Sequence, residues 1–520
     1  MKFVHSADLR KAERTHLESL GDGAEAVQAT WVREVGGGVA EVVATVLDEV
    51  GPRRSAVVVA GPGMNGSDGL AAALSLHRAG YRCEVWSVAG TGEPSGLRAK
   101  LAEACRQAGM AVEEVVAGDG RLARRGGFRP GVLVDALFGT GFHGEPEGAA
   151  AEAMAYLREA WPGVTRIAVD VPSGWDGETE EIPAFVPRAD VTVTAGSPKA
   201  GMGFETGLDA CGRVLVAPFS MPTAEREAVE LPAARSNGPT DLITRDEVAA
   251  LFPRRRVGDA HKGNFGRLLL LGGCESYPGA ITLCALGALR SGAGMVYVGT
   301  SATARTAIAA RVPGAIPDDD LFSTRDWDAY TAAVLGPGLG RSPEARRIVA
   351  SSLYGSGNPV VIDADAIGLL AGRPETLRSC GRPIVMTPHV AELSRLLGYS
   401  IEQIRADRCG AVRQAADRCG VVVLLKGQGT VIAAPNDDRI WLNPTGNPGM
   451  ACGGSGDVLA GLIGGLLAQG LTPLDAARAG AWLHGLAGDL CALRQTAPAM
   501  NAEDITEALP QAFAMLRGVG

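Results

Sequence analysis

The run Gly453-Gly454-Ser455-Gly456-Asp457, near the C-terminus, is the arrangement in this chain with the most direct chemical meaning. Three glycines around one serine leave a loop nearly stripped of Cβ atoms, and the apolar run that begins at Val458 predicts that the loop opens into a helix. Free N–H groups and the positive end of the helix dipole then converge where an anion can sit. A carboxylate at that rim repels a phosphate unless it has a task. One such task is to take a hydroxyl proton while the amides hold a phosphoryl group in transfer. The same residues also fit a plain glycine turn with Asp457 as a helix N-cap.

Upstream, the apolar run Val421–Leu425 ends in Lys426-Gly427, and Gly429-Thr430 and a second apolar run follow. This pattern predicts a strand, a tight turn and a returning strand, with a lysine and an open backbone turn suited to a nucleotide. No G-x-x-x-x-G-K-[ST] occurs in the chain, so it is not a P-loop phosphotransferase. The combination resembles the ribokinase-like fold, whose G-x-G-D loop supplies anion hole and base together.

Seven motifs narrow the resemblance: HKGNFGRLLLLGG from His261, YPGAITLCALGALRSGAGMVYVG from Tyr277, VLGPGLG from Val334, VVIDADAIGLL, MTPHVAEL, LLKGQGT and GGSGDVLAG, in that order. Over residues 238–518 the chain resembles the NAD(P)H-hydrate dehydratase family. A sugar kinase shares the final loop but has no reason to carry HKGNFG or TPHVAEL. The resemblance implies that Ala280, Gly338, His389 and Asp457 bind the hydrated cofactor, with Asp457 as base. It implies that Lys426, Gly427, Gln428, Gly429, Thr430 and Gly456 bind ADP or ATP, brought with Mg2+. His389 and Glu392 have the spacing of a metal pair but no third ligand nearby, so a helix cap or a substrate contact is the better reading of His389. Asp363 and Asp365 fit either a water-mediated magnesium contact or a helix cap, and neither is assigned to the site.

These residues need a scaffold, and the first half of the chain shows a second one. SAVVVAGPGMNGSDGL, GVLVDALFG, TRIAVDVPSG and ADVTVTAG alternate with helical stretches, which predicts a doubly wound parallel sheet. Ligands of such sheets bind beyond the carboxyl ends of the strands, where Asn65, Asp68, Asp135, Asp170 and Ser173 fall. Gly61, Gly63 and Gly66 spell a dinucleotide fingerprint, yet the second strand closes with Val88-Ala89 and lacks the acidic ribose ligand, which argues against an ordinary dehydrogenase.

The loop MNGSDG, with VDALFGTGFHG and IAVDVPSGWDG, resembles the NAD(P)H-hydrate epimerase family over residues 1–220, Met64 and Ser67 being departures from its loop. The resemblance implies that Met64, Asn65, Gly66, Ser67 and Asp68 contact the hydrate, as do Gly139, Thr140, Gly141, Phe142, His143, Gly144 and Glu145. It implies that Asn65, Asp135 and Ser173 hold a potassium ion, and that Asp170 handles a proton at the nicotinamide ring. From the residues alone, Asp170 and Asp135 fit equally a strand-end Asp that satisfies loop amides.

Composition agrees with a two-part enzyme. At 520 residues and 46% hydrophobic content, the chain can bury two cores. A net charge of −9 argues against nucleic acid as partner. Ten cysteines without a C-x-x-C pair fit a reduced compartment, and the charged N-terminus has no apolar signal segment, so a cytoplasmic enzyme is expected. Val458–Leu471 is too short and glycine-broken to span a membrane.

A polar stretch over residues 222–240 reads as a linker. The expectation is an α/β protein of two domains: a Rossmann-like doubly wound sheet over 1–225 and a ribokinase-like α/β/α sandwich over 238–520, assembled as a homo-oligomer. The expected partners are the NADH and NADPH hydrates and ADP or ATP. Two alternatives stay open: an active dehydratase with a silent N-terminal binding or scaffold domain, for which MNGSDG speaks, and a ribokinase-like small-molecule kinase.

Overall fold

The computed structural model describes residues 1–49, 54–89, 96–118, 129–179, 181–222, 224–225, 229, 240–252, 258–318, 326–355 and 357–517. It divides into two compact units, Met1–Pro232 and Ala233–Gly520. Of the stretch read as a linker, all but 222, 224, 225, 229 and 240 lies outside the described residues.

In the first unit the described strands are β1 (Ser55–Ala60), β2 (Arg82–Val88), β3 (Ala111–Val115), β4 (Val132–Ala136), β5 (Thr165–Val169), β6 (Val191–Ala195) and β7 (Arg213–Ala217). They form one sheet in the order β3-β2-β1-β4-β5-β6-β7, and every pairing is parallel. β1 and β4 are buried at every position because helices cover both faces of the sheet's centre. β3, an edge strand with the polar sequence AVEEV, escapes the sequence reading because it alternates poorly and is half exposed. The chain reverses its winding between β1 and β4, so the crevice at their carboxyl ends is where a ligand fits.

The second unit contains β8 (Asp241–Leu242), β9 (Arg267–Leu271), β10 (Met295–Gly299), β11 (Ala315–Pro317), β12 (Ala332–Leu335), β13 (Val360–Ile362), β14 (Ile384–Met386), β15 (Val422–Leu425), β16 (Val431–Ala433) and β17 (Ile440–Leu442). Their order is β11-β10-β9-β12-β13-β14-β15-β16-β17-β8. The strands from β11 to β15 are parallel, β16 returns antiparallel beside β15, β17 turns again, and β8 closes the edge. The expected hairpin around Lys426 is thus present, and the switch of winding falls between β9 and β12.

The glycine loop does open into a helix, Ser455–Ala468, and every residue from Val458 to Ala468 is buried. No helix among the described residues is long and apolar enough to cross a membrane. This helix packs between the sheet and the helix Pro278–Arg290 at distances that only missing Cβ atoms permit. A Cβ on Gly461 would meet the Cys284 carbonyl and the Ala288 nitrogen, and one on Gly464 would meet Val334 of β12. Leu268, Val334, Ile463, Leu466, Leu483 and Leu509 fill the core around it. The helix start, and with it Asp457, is therefore fixed by packing along the whole helix.

Gly461→Ala should force this helix off its neighbour and lower stability by about 1–3 kcal/mol. A reduced thermal unfolding midpoint, with Leu466→Met as a milder volume-conserving comparison, checks it.

Candidate active sites

In the second unit the site grows from the ends of β9, β12, β13, β14 and β15. Gly454 caps the helix Ser455–Ala468 in the left-handed conformation, φ 94°, and a Cβ there would strike Leu283. Asp457 lies in the first helical turn, and its side chain makes no capping bond, which removes the reading of Asp457 as a simple N-cap. A Cβ placed on Gly456 would stand 3.2 Å from Lys426 Nζ, so the lysine reaches over that first turn.

Lys426 Nζ donates to Asp363 Oδ1 at 2.7 Å, and Thr387 Oγ1 donates to the same oxygen at 2.8 Å. Asp363 is buried (1% exposed) at the end of β13, and the Lys426 backbone N–H donates to the Pro388 carbonyl. Three strand ends are thereby tied through one carboxylate. Burial opposes the charge on Lys426, but the carboxylates of Asp363 and Glu392 outweigh it and hold its pKa above the ordinary value. For Asp457, burial comes first and the negative Asp363 adds to it; Lys426 offsets only part, and the carboxyl is pushed up to about 7.

His389 is the N-cap of the helix Val390–Leu397, its Nδ1 accepting from the N–H groups of Ala391 and Glu392, while Glu392 bonds back to its backbone. Burial and the Lys426 charge lower its pKa, and Nε2 stands 3.3 Å from Glu392. Gly338, φ 59°, and Ala280 come together across the β9–β12 switch point, where a Cβ on Gly338 would lie 2.9 Å from that of Ala280. The hairpin loop is open: Gly427 and Gln428 are exposed, Arg408 holds the Gln428 carbonyl at 2.6 Å, Gly429 is left-handed, and Thr430 Oγ1 donates to the Gly427 carbonyl.

In the first unit the polar groups gather at the β1–β4 crevice. Asp170 follows β5 with φ 66°, a left-handed backbone held in place by its bonds. Its Oδ1 accepts from Lys199 Nζ at 2.5 Å, and from Thr194 Oγ1 and the Ala195 N–H at 3.2 Å each. Lys199 is itself buried, 2% exposed, and also donates to Thr194 Oγ1 and the Ala195 carbonyl. Burial pushes the Asp170 carboxyl up, but Lys199 and these donors more than reverse it, leaving it below the usual carboxylate value. Burial, with Asp170 and Glu13 nearby, raises Asp68 well above its ordinary value.

Asp135, buried at the end of β4, accepts from Ser173 Oγ at 2.5 Å, the Ser173 N–H at 2.9 Å and the Leu137 N–H at 3.2 Å. Burial still raises its pKa. Asn65 is buried with neither amide atom partnered. An unpartnered amide oxygen on Asn65, together with the carboxylate of Asp135 and the hydroxyl of Ser173, supplies hard oxygen donors of low total charge, the donor type a monovalent cation such as potassium takes. Among the described residues no group of three or more His, Cys, Asp or Glu forms a metal cluster.

Several expected loop contacts take a different form. Gly66 and Gly69 face protein: a Cβ on Gly66 would meet the Gly61 carbonyl and one on Gly69 the Ala136 side chain, so they serve helix–strand packing. Ser67 is buried and its hydroxyl faces the Gly63 carbonyl at 3.5 Å. Met64 is exposed, its sulfur near Gln28. Gly139 stands against Asp170 and Asn65; the Thr140 carbonyl accepts from Arg10. The Phe142 amide donates to Gly139, and its ring stacks on Phe138, while Gly141, His143, Gly144 and Glu145 are exposed.

Two charged groups of these sites escaped the sequence, Lys199 and Glu13, which carry no motif; Asp363, which the sequence left unassigned, joins the site through its bond to Lys426.

Two family models match the chain: NAD(P)H-hydrate dehydratase over residues 268–511 and YjeF-related protein N-terminus over 29–201. A bifunctional NAD(P)H-hydrate repair enzyme of Thermofilum pendens is 35% identical, covering 89% of this chain and 88% of its own. That of Moorella thermoacetica is 35% identical over 88% and 87%. The ADP/ATP-dependent NAD(P)H-hydrate dehydratase of Bacillus subtilis, solved with ATP/Mg2+, is 33% identical with TM-score 0.49, covering 53% of this chain and 98% of that one. The architecture is that of a two-part α/β enzyme, a Rossmann-like unit followed by a ribokinase-like α/β/α unit. The chain belongs to the family of bifunctional NAD(P)H-hydrate repair enzymes.

Because the fold favours the protonated form of Asp457, the residue weakens the folded state increasingly as pH rises from about 4 through 7. Asp457→Asn should therefore stabilise the protein at pH 8 by roughly 1–3 kcal/mol after allowance for solvent screening, and the gain should shrink toward pH 4. Thermal midpoints of both proteins across that range check the sign.

Proposed function

We propose that this chain restores hydrated NADH and NADPH, with residues 238–520 as a nucleotide-dependent dehydratase of the S hydrate and residues 1–225 as an epimerase of the R and S forms. The observation that carries the first half is Asp457, a carboxylate with a pKa of about 7, beside Lys426 at the start of a glycine-capped helix. The Asp457 carboxylate accepts the proton of the ring hydroxyl as that oxygen attacks the terminal phosphoryl group of ADP or ATP. N–H groups of the first turn, with Gly454 and Gly456, and Lys426 take up the charge on the transferring group. Mg2+ supplies neutralisation of the nucleotide phosphates. The phosphorylated oxygen then leaves with its bonding electrons, the adjacent ring carbon loses a proton, and the C=C bond of the dihydropyridine returns.

In the first half, Asn65, Asp135 and Ser173 would hold potassium, whose charge offsets the buried Asp135 and suits an anionic hydrate. Asp170 would handle the proton at the ring. Asn65, Asp68, Asp135, Asp170 and Ser173 all survive beside the altered Met64 and Ser67, which favours an active epimerase over a silent scaffold. A cytoplasmic setting and a homo-oligomer remain part of the proposal.

The test incubates purified protein with mixed hydrates, with and without ADP or ATP, and follows the near-ultraviolet absorbance of restored NADH or NADPH. Recovery that needs nucleotide supports the dehydratase; a stable phosphorylated product without recovery makes the chain a kinase. Recovery of the whole mixture supports epimerisation; a plateau at the S fraction, beyond which conversion runs only at the spontaneous rate, supports the scaffold reading.

Asp457→Asn should lower turnover by about 10²–10⁴-fold while leaving ADP binding intact, and wild-type turnover should rise with pH through about 7 as the base ionises. Gly456→Val should drive a side chain into Lys426 and abolish nucleotide binding measured by calorimetry; unchanged affinity in a folded variant would move the nucleotide pocket elsewhere.

A further inference from the structure

The helix Ser6–Ser19 lies outside the matched family region, which starts at residue 29, yet it is fastened to the first-unit site. Val4 bridges to Lys199: its N–H donates to the Pro198 carbonyl at 2.9 Å and its carbonyl accepts from Ala200 at 2.8 Å. Ser6 Oγ donates to the Asp176 carbonyl, and the Ser6 N–H to Glu178. From this anchored start, Arg10 reaches the Thr140 carbonyl. Glu13 stands three residues on, hence on the same helix face. That face meets the Gly139–Thr140 loop that stands against Asp170, and the charges Glu13 feels are those of Lys199, Asp170 and Arg10, while Asp68 feels both Asp170 and Glu13. Asn65, whose buried amide has no partner, lies against Gly139 together with Asp170, which marks the same place as one awaiting a ligand.

We infer that Glu13 is the acid that works opposite Asp170 in hydrate epimerisation, so the N-terminal helix is part of the active site. The inference rests on the epimerase reading and adds a residue to it. Burial raises the Glu13 carboxyl to about 7, with Lys199 offsetting and Asp170 adding to the rise, whereas Asp170 stays ionised. Two carboxyl groups near one ammonium thus differ in proton affinity, with Glu13 able to hold and release a proton near neutral pH and Asp170 held below the usual carboxylate value, as an acid and base pair requires. Glu13 gives its proton to the hydroxyl oxygen on the ring carbon next to nitrogen. The C–O bond breaks with both electrons going to oxygen, and the nitrogen lone pair forms C=N. Water then attacks the opposite face, the C=N pair returns to nitrogen, and the surplus water proton passes to Asp170. Transfer of that proton from Asp170 to Glu13 restores the start. Nothing is oxidised or reduced.

The experiment uses the full chain, the R hydrate of NADH and no nucleotide, so that only R-to-S conversion is read, by chromatographic separation of the two forms. Glu13→Gln should slow conversion by about 10²-fold or more with KM little changed, and Glu13→Asp should recover part of it. The wild-type rate should fall as pH rises through about 7, the limb on which the acid is lost, and the Gln variant should lack that limb. Unfolding midpoints and circular dichroism show whether the variants fold. A folded Glu13→Gln protein with wild-type rate and pH profile overturns the inference alone. A wild-type chain that does not exceed the spontaneous rate in potassium buffer overturns it together with the epimerase reading.

Discussion

A lysine buried against a strand-end aspartate sets the chemistry in both units. In the second, Lys426 bonds Asp363 at 2.7 Å; in the first, Lys199 bonds Asp170 at 2.5 Å. Such pairs contribute little net stability, because desolvating two charges consumes most of what their attraction returns. Losing one partner is another matter, since an unpaired buried charge costs about 3–5 kcal/mol. The pairs are therefore better understood as fixing geometry and charge. Each ties loops from separate strands to one carboxylate, and each places a full positive charge next to a further carboxyl group.

Those further groups, Asp457 and Glu13, both come out near neutral pH. In each unit the lysine is bonded to one carboxylate and only near the other. Burial is the first cause of both shifts; at Asp457 the nearby Asp363 adds to it and Lys426 offsets part, while at Glu13 Lys199 offsets part and Asp170 adds a smaller rise. In each unit a lysine thus bonds one carboxylate and stands near a second carboxyl group that can exchange protons near pH 7. The two units reach this arrangement on different sheets, at the ends of β5 and β6 next to the β1–β4 switch in the first and at the ends of β13, β14 and β15 next to the β9–β12 switch in the second.

The sequence carried much of this and hid a definite part. Gly454, Gly456 and Asp457 were legible because a glycine loop before an apolar helix has few physical meanings, and the Lys426 hairpin because its strands and turn are local. Asp363 and Lys426 are 63 residues apart and Asp170 and Lys199 are 29 apart, so their pairing is a product of strand order, which local patterns do not contain. Burial was equally hidden: Lys199 sits in the unremarkable run Ser197-Pro198-Lys199, yet it is among the least exposed side chains of the protein. The glycines show a second use. Gly66, one of three glycines spelling a dinucleotide fingerprint, also packs against backbone: a Cβ there would meet the Gly61 carbonyl just beyond β1, a close approach that the sequence pattern does not distinguish from phosphate contact.

The same geometry explains why so much small-residue packing surrounds the sites. A carboxyl group held near pH 7 in its neutral form opposes folding once it ionises, so the rest of the unit must hold it rigidly in place. Gly461 and Gly464 bring the Asp457 helix against its neighbour and the sheet, and Gly66 and Gly69 do the same for the helix that starts at Met64. Close backbone contact of this kind leaves no slack for the helix to tilt. Were the helix free to shift, Asp457 would move toward solvent, its pKa would relax toward that of an ordinary carboxylate, and a weaker base would result. Packing remote from the reacting atoms is thus what keeps the proton-exchanging group strong enough to act.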